Sequence, residues 1–419
     1  MELYIAGGCA EHGRNCFLVK GGRTSFFVDA GLMKDPFRNP YPRLTGEQIG
    51  GAGYLFLTHC HADHTGALPF LFKHGFRGKI ITTRFTSECL RLKNENLVLI
   101  DRLSQPGESV SLGGGLSVLW GRSGHCMGSI WLLVSFMDKK LLFTGDYTEH
   151  SQVYKVDKIR GMRADVAVID CAYGHTGRNG DYNLEAFRNE VADMKTEKRP
   201  MLFPVPAHGR GFDVIRELLN QEIPVYADKS LISELMDTKD RGTWLRKRFI
   251  RKLRGSVLYT LDRYPVLLPF VKSSRSEEKH RNAAERESES RYFTEELEPG
   301  RKINGAMPGR KNGKGAAGIL IRDSQLFRFS SRASALELYG EGGITILTGK
   351  QLPDSYAKTL LDSELAVFRR LSVHQNADEL LLLREKNEFK TIVPFHCGSS
   401  LTFDKKNIQV MHPGEILRL

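Results

Sequence analysis

Four side chains of the kind that bind divalent metals fall within six residues of this chain, in THCHADHTG (Thr58 to Gly66). His59, His61, Asp63 and His64 directly follow the apolar run YLFLT, which reads as a strand. In an extended turn, alternate positions put His59 and His61 on one side and leave Asp63 and His64 facing a neighbouring position. Imidazole and carboxylate ligands suit zinc or manganese. One loop therefore feeds two adjacent cations, and the rest of the chain must supply the missing ligands.

Two later segments offer them. SGHCMGS (Ser123 to Ser129) carries His125 between glycines that permit close backbone approach. TGDY (Thr144 to Tyr147) places Asp146 at the end of the strand LLF, where a carboxylate can bridge two cations.

The surrounding pattern is α/β. Strands are predicted at Ser25 to Val28, Tyr54 to Leu57, Lys79 to Thr82, Ile130 to Ser135 and Lys140 to Phe143, with a helix over Phe85 to Ile100. Further on, strands at Met201 to Val205, Val225 to Ala227, Gly318 to Ile321 and Ile344 to Leu347 alternate with helical stretches at Gly211 to Asn220, Lys229 to Met236 and Ala333 to Tyr339. That alternation predicts a second unit built on a parallel sheet. Trp244 to Arg254, WLRKRFIRKLR, reads as one helix with Leu245, Phe249 and Leu253 on a single face. Its basic residues form either a solvated face or one that contacts phosphates. Ser273 to Ala317 is rich in Ser, Glu, Arg, Gly and Lys, and reads as a long surface excursion.

Composition narrows the partners. The net charge of +12 over 419 residues fits a polyanion better than a small metabolite. No apolar run approaches the ~18–20 residues of a membrane span, and the N-terminus lacks a basic region followed by an apolar one. Seven thinly spread cysteines without a CxxC pair predict reduced thiols in a cytoplasmic protein. Cys60, Cys126, Cys171 and Cys397, each beside a candidate site residue, read as small buried thiols.

The order HxHxDH, then His125, then Asp146 resembles the metallo-β-lactamase superfamily of hydrolases. Asp29 in FVDAG resembles that family's early strand-end aspartate, an orienting group more than a ligand. VIDCAYG (Val168 to Gly174), FPVPAHGR (Phe203 to Arg210), ITILTGK (Ile344 to Lys350), LSVHQNADEL (Leu371 to Leu380) and TIVPFHC (Thr391 to Cys397) narrow the resemblance to the β-CASP branch. That branch holds RNase J and the endonuclease of the cleavage and polyadenylation machinery. Its short Gly-Met-Leu segment appears here as DSQLF (Asp323 to Phe327), and Cys397 and Gly398 follow His396 where the branch has Gly-Glu.

The resemblance implies an αββα sandwich with an inserted α/β β-CASP domain. It puts the first part of the hydrolase domain at 1–175, the insert at 176–366 and the remainder at 367–419. It implies that His59, His61, His125 and Asp146 hold one metal, and that Asp63, His64, Asp146 and His396 hold the second. It further implies that His374 is a general acid held by Asp170. His412 in VMHPGE competes with His396 for the third β-CASP motif; His396 is preferred because it follows an apolar strand one helix beyond His374. Ser129, His208 and Arg210 are candidate substrate contacts, the last two in a turn before a helix that can hold a phosphate.

The expected activity is hydrolysis of single-stranded RNA at two zinc ions, or two manganese ions, leaving 5′-phosphate and 3′-hydroxyl ends. Two rivals share the metals: a DNA nuclease of the same superfamily, and a hydrolase of small esters or thioesters. DNA-repair members of the branch typically lack a histidine at the third motif, so His396 favours RNA. The sequence leaves internal and 5′-end-directed cutting undistinguished, and a dimer is compatible with it.

Overall fold

The computed structural model describes residues 1–419 except 34, 36, 94, 176–177, 238–240, 265–314 and 399. The excursion expected at 273–317 therefore lies, up to residue 314, outside the described residues. Two compact units divide the chain. One comprises Met1–Tyr182, Gly242–Arg246 and Ser372–Leu419; the other comprises Asn183–Arg241 and Lys247–Leu371.

The first unit contains two mixed sheets. In spatial order, one runs Ile416–Arg418, Glu2–Gly7, Cys16–Gly21, Thr24–Val28, Tyr54–Phe56, Lys79–Thr82, Leu97–Leu99. The other runs Glu388–Phe395, Arg163–Asp170, Lys139–Phe143, Ile130–Phe136, Leu116–Arg122, Ser109–Gly113. Aromatic side chains join the facing surfaces: Phe17 meets Phe143 and Phe395, and Phe26 meets Phe136. Each sheet also packs helices on its outer face. Leu68 and Leu71 cover the first sheet, while Ala377, Leu380 and Leu383 cover the second. This arrangement is an αββα sandwich.

The last part of the chain completes both sheets. Glu388–Phe395 pairs in parallel with Arg163–Asp170, and Ile416–Arg418 pairs antiparallel with Glu2–Tyr4. Strands adjacent in space are thus separated in sequence by the whole second unit. That unit is a six-stranded sheet, all parallel, in the order Leu258–Thr260, Val225–Ala227, Gly318–Ile321, Met201–Pro204, Ile344–Leu347, Ala366–Phe368. The central strands MLFP and GILI are buried along their whole length, as expected where helices cover both faces of a parallel sheet.

Two expected helices differ. The helix over Phe85 to Ile100 stops at Cys89, and Arg91 takes a left-handed φ of 52° that no helix tolerates. Leu97–Leu99 then pairs with Ile80–Thr82, because an open sheet edge satisfies its backbone better than an isolated helical turn does. The basic stretch splits at Leu245 and Arg246. Leu245 bridges Tyr154, the Arg246 amide donates to the Val153 carbonyl at 2.8 Å, and its Nε donates to Ser151 and Tyr154 carbonyls, both at 3.0 Å. Tertiary backbone bonds override helix propensity there. Lys247–Arg254 remains helical, burying Phe249 and Leu253 and exposing Lys247, Arg248, Arg251 and Arg254. Among the described residues, no helix is long and apolar enough to cross a membrane.

Candidate metal centre

The candidate ligands gather where strands of the two sheets end. His59 and His61 lie just beyond Tyr54–Phe56, and a short helix, Ala62–Thr65, carries Asp63 and His64. His125 follows Leu116–Arg122, Asp146 follows Lys139–Phe143, Asp170 ends Arg163–Asp170, and His396 follows Glu388–Phe395. A residue at the end of a strand is released from sheet pairing yet anchored by it. Several strands can therefore aim side chains at one point.

Asp146 is the centre of the constellation. Its Oδ2 lies 3.3 Å from His59 Nε2 and 3.3 Å from His125 Nε2. His61 Nδ1 is 3.1 Å from both of those nitrogens. The other oxygen, Oδ1, lies 3.0 Å from His64 Nε2 and 3.3 Å from His396 Nδ1, and His396 Nε2 is 3.3 Å from Asp63 Oδ2. The two carboxylate oxygens thus face two separate donor groups: His59, His61 and His125 on one side, and Asp63, His64 and His396 on the other.

A third group adjoins them. His374 Nδ1 is 3.0 Å from Asp170 Oδ2 and 3.8 Å from Asp146 Oδ2. Asp170 is fully buried and also accepts from the amides of Tyr147 and Ala172, both at 3.1 Å. With Nδ1 on the carboxylate, the Nε2 of His374 is the nitrogen left to carry a transferable proton.

The chemistry of this donor set fits divalent cations. Asp146 Oδ1 and His396 Nδ1 are buried yet form no hydrogen bond, although they are 3.3 Å apart. Buried carboxylate oxygens and imidazole nitrogens that converge on one point suit a cation. Orienting bonds occupy the outward nitrogens. His125 Nδ1 meets the Val373 carbonyl at 2.8 Å, His59 Nδ1 meets Thr58 Oγ1 at 3.1 Å, and His64 Nδ1 meets Asp29 Oδ2 at 2.7 Å. Each bond leaves Nε2 turned inward.

Asp29 does more than orient one ring. Its carboxylate accepts from the Thr58 amide and hydroxyl, both at 2.8 Å, which fixes the start of the His-rich turn. Asp29 and His396 both hold left-handed backbones, with φ of 61° and 62°. Such strain in non-glycine residues persists only where surrounding bonds over-determine it. The Asp29 amide donates to Phe56 at 2.8 Å and the His396 amide to Gly8 at 2.6 Å. Gly31 permits the turn to close, since a Cβ there would collide with the Asp63 carbonyl. Asp29→Ala is expected to weaken metal binding ~10–100-fold while the fold persists, as measured by titration with a competing chelator.

Electrostatics follow from burial and from these contacts. For His64, burial opposes protonation, but Asp146 and Asp29 overcome it and hold the imidazole well above its ordinary pKa. His396 is pushed up to about 10, because Asp146 and Asp63 outweigh the cost of burial. His125 goes the other way: burial, reinforced by His374, His61 and His59, holds it well below the usual range against the pull of Asp146. Asp146 is held well below the usual carboxylate range; four histidines, His64 foremost, overcome the upward push of burial. At neutral pH the metal-free centre therefore carries protons on His64 and His396. Metal binding must expel them, so loading at pH 7 should release about two protons and the affinity should fall as the pH is lowered. Calorimetry in buffers of differing ionisation enthalpy counts those protons.

The remaining candidates occupy other places. Ser129 is buried, and its hydroxyl accepts from the Cys126 amide at 3.0 Å and donates to the Cys126 carbonyl at 2.7 Å, bracing the turn that carries His125. His208 lies in the second unit, 2.8 Å from Glu234, and Arg210 precedes the helix Gly211–Asn220 there. His412 is exposed, with its amide on Glu415. The cysteines are all free thiols; burial pushes Cys171 well up and Cys397 to about 11.

Two neighbours of the centre had no ligand spacing in the sequence. Asn15 is fully buried, with Nδ2 2.9 Å from His64 Nε2. His12 sets its ring edge-on to His396 at 5.8 Å. Only the packing of Cys16–Gly21 between its neighbouring strands brings this loop to the centre.

Comparison with known proteins agrees with this geometry. The family described as the metallo-beta-lactamase superfamily matches residues 10–204. The transcription termination factor FttA of Methanosarcina mazei is 25% identical over 275 residues, covering 54% of this chain and 42% of that protein. The cleavage and polyadenylation specificity factor 73 of Drosophila melanogaster is 24% identical over 270 residues, covering 56% and 39%. The endoribonuclease ysh1 of Schizosaccharomyces pombe is 24% identical over 319 residues, covering 67% and 40%. The chain thus spans about two fifths of the length of these relatives. A solved protein of unknown function from Enterococcus faecalis V583 shares the fold, with a TM-score of 0.60 at 13% identity over 100% of this chain and 99% of that one. Residues 10–204 are thus matched as a metallo-beta-lactamase superfamily domain, in a sandwich closed by the last part of the chain, and the chain is similar to relatives of the β-CASP kind.

Proposed function

We propose that this chain is a hydrolase that cuts phosphodiester bonds of single-stranded RNA at a dinuclear metal centre, leaving 5′-phosphate and 3′-hydroxyl ends. The observation that carries the reading is Asp146, whose two oxygens face two separate groups of donors. His59, His61 and His125 with Asp146 would hold one ion; Asp63, His64 and His396 with Asp146 would hold the other. Zinc suits this imidazole-rich set, and manganese is compatible with it. When bound, such a pair acidifies a water and clamps the oxygens of an in-line displacement.

The chain's own side chains do the rest. Asp170 holds His374 through Nδ1, which leaves Nε2 as the nitrogen that can pass a proton. His374 delivers that proton to the departing 3′ oxygen, so no free alkoxide has to form. Asp29, Thr58 and Val373 keep the ligand rings from turning away between cycles. Asp63 both ligates and helps to neutralise the His396 proton before loading. The choice of RNA rests on the RNA-processing relatives, on the histidine at position 396 and on the net charge of +12.

The test is cleavage of end-labelled single-stranded RNA, with matched DNA alongside, by metal-loaded protein and by an Asp146→Ala control. Fragments from RNA that are absent with the control are the expected result, and their sizes separate internal from end-directed cutting. Equal cutting of DNA would move the assignment to a DNA nuclease. No cutting of either polymer by fully loaded protein would sink the nuclease reading.

A further inference from the structure

The parallel sheet of the second unit has a switch point. Met201–Pro204 and Ile344–Leu347 are neighbours, but their onward connections diverge. The first runs through helix Gly211–Asn220 to Val225–Ala227 on one side; the second runs through helix Tyr356–Asp362 to Ala366–Phe368 on the other. Where adjacent parallel strands send their chains in opposite directions, a crevice opens outside their carboxyl ends, and ligands of open α/β sheets bind in such crevices.

The residues at these ends are unusually basic and incompletely bonded. Arg210 makes no cap bond to its own helix, and its Nε is buried without a partner. Its guanidinium lies over the turn after the neighbouring strand, so close that a Cβ on Gly349 would collide with it. Thr348, in that turn, is 1% exposed, and its hydroxyl has no partner. Lys350 follows. Arg370, after the next strand in the sheet, helps burial to hold the Lys350 amine below its ordinary range. Nearby cations are already neutralised: Arg322 by Glu234 at 2.7 Å and Arg369 by Glu190 at 2.6 Å. Among the described residues, no carboxylate pairs with Arg210 or Lys350. Gln325 braces the turn, donating to the Lys350 carbonyl at 3.1 Å and accepting from the Leu352 amide at 2.8 Å.

We propose that this crevice is a phosphate-binding site in which Arg210 and Lys350 supply the charge and Thr348 a hydroxyl. A guanidinium with an unused buried N–H, a second cation and an orphaned hydroxyl match the acceptor-rich, doubly bonding surface of a phosphate group. The phosphate belongs to an RNA strand or to a free nucleotide; both present the same oxygens. The inference goes beyond the hydrolysis proposed above, since a phosphate binds here whether or not the metal centre cuts anything.

The test uses the full chain stripped of metal by chelator, so that the metal centre adds no cation. Binding of a fluorescent ten-nucleotide single-stranded RNA is measured at several salt concentrations. Thermal melting is followed with inorganic phosphate and with adenosine 5′-monophosphate at constant ionic strength. Arg210→Gln and Lys350→Gln should each weaken the affected ligand about tenfold, the loss expected for one charge-assisted hydrogen bond. If the ligand is the RNA strand, the slope of log affinity against log salt should shrink by about 0.7 per lost phosphate contact. Gly349→Ala keeps every charge but displaces the guanidinium, and should copy Arg210→Gln. Loss of RNA binding alone assigns the site to a strand; loss of the phosphate and nucleotide shifts in melting assigns it to a free phosphate group. Wild-type behaviour of all three variants towards every probe, with their own melting unchanged, would overturn the proposal.

Discussion

Asp146→Ala should abolish metal binding at both positions and RNA cleavage with it. Its two oxygens face separate donor groups, and it is 1% exposed. Removing one preorganised electrostatic partner of a reacting group already costs ~10²–10³ in rate, and this change removes the carboxylate that faces both donor groups, so the loss should be at least ~10³-fold. The same change deprives His64 and His396 of the carboxylate that keeps them protonated in the metal-free state. Their pKa values should therefore fall, which NMR titration of the imidazoles would follow. Metal analysis of the purified variant settles the main point. An Asp146→Ala protein that keeps two ions would show that the carboxylate is not their bridge.

His374→Ala should behave differently. His374 touches Asp146 only at 3.8 Å and rests on Asp170 at 3.0 Å, so its loss leaves both donor groups intact. Both metals should remain, while turnover falls ~10²–10⁴-fold, the usual contribution of a general acid. A substrate whose departing 3′ oxygen is replaced by sulfur needs little protonation and should recover most of that loss. Asp170→Asn should show the same pattern in milder form, because it loosens His374 without removing it. Loss of metal from the His374 variant, or failure of the sulfur substrate to rescue it, would mean that the imidazole is a ligand and not a proton donor.

Much of the centre was legible because its chemistry is local. HxHxDH compresses four donors into one turn, and strand ends can be read from apolar runs that stop just short of a polar candidate, as LLF stops three residues before Asp146 and VPF directly before His396. The parallel second sheet was legible for the same kind of reason, since its strands are short apolar runs alternating with helical spacing. The misses share an opposite cause. Asn15 and His12 have no periodic or ligand signal, and reach the centre only because the strand that follows their loop, Cys16–Gly21, is sandwiched between two others. Leu97–Leu99 became a strand, and the basic stretch broke at Leu245, because partners far away in sequence offered backbone bonds that local propensity could not match.

The sequence by itself determined which side chains can bind a metal and which segments can be strands or helices. Those properties depend on residue type and on spacing within one turn or one element. Tertiary structure alone decided that the two oxygens of Asp146 look in different directions and that His374 rests on Asp170. It also decided that Arg210 lies over Gly349 with an unanswered N–H. Each of those facts joins segments 20 to more than 200 residues apart. Their distances are set by sheet pairing and packing, and no local pattern encodes them.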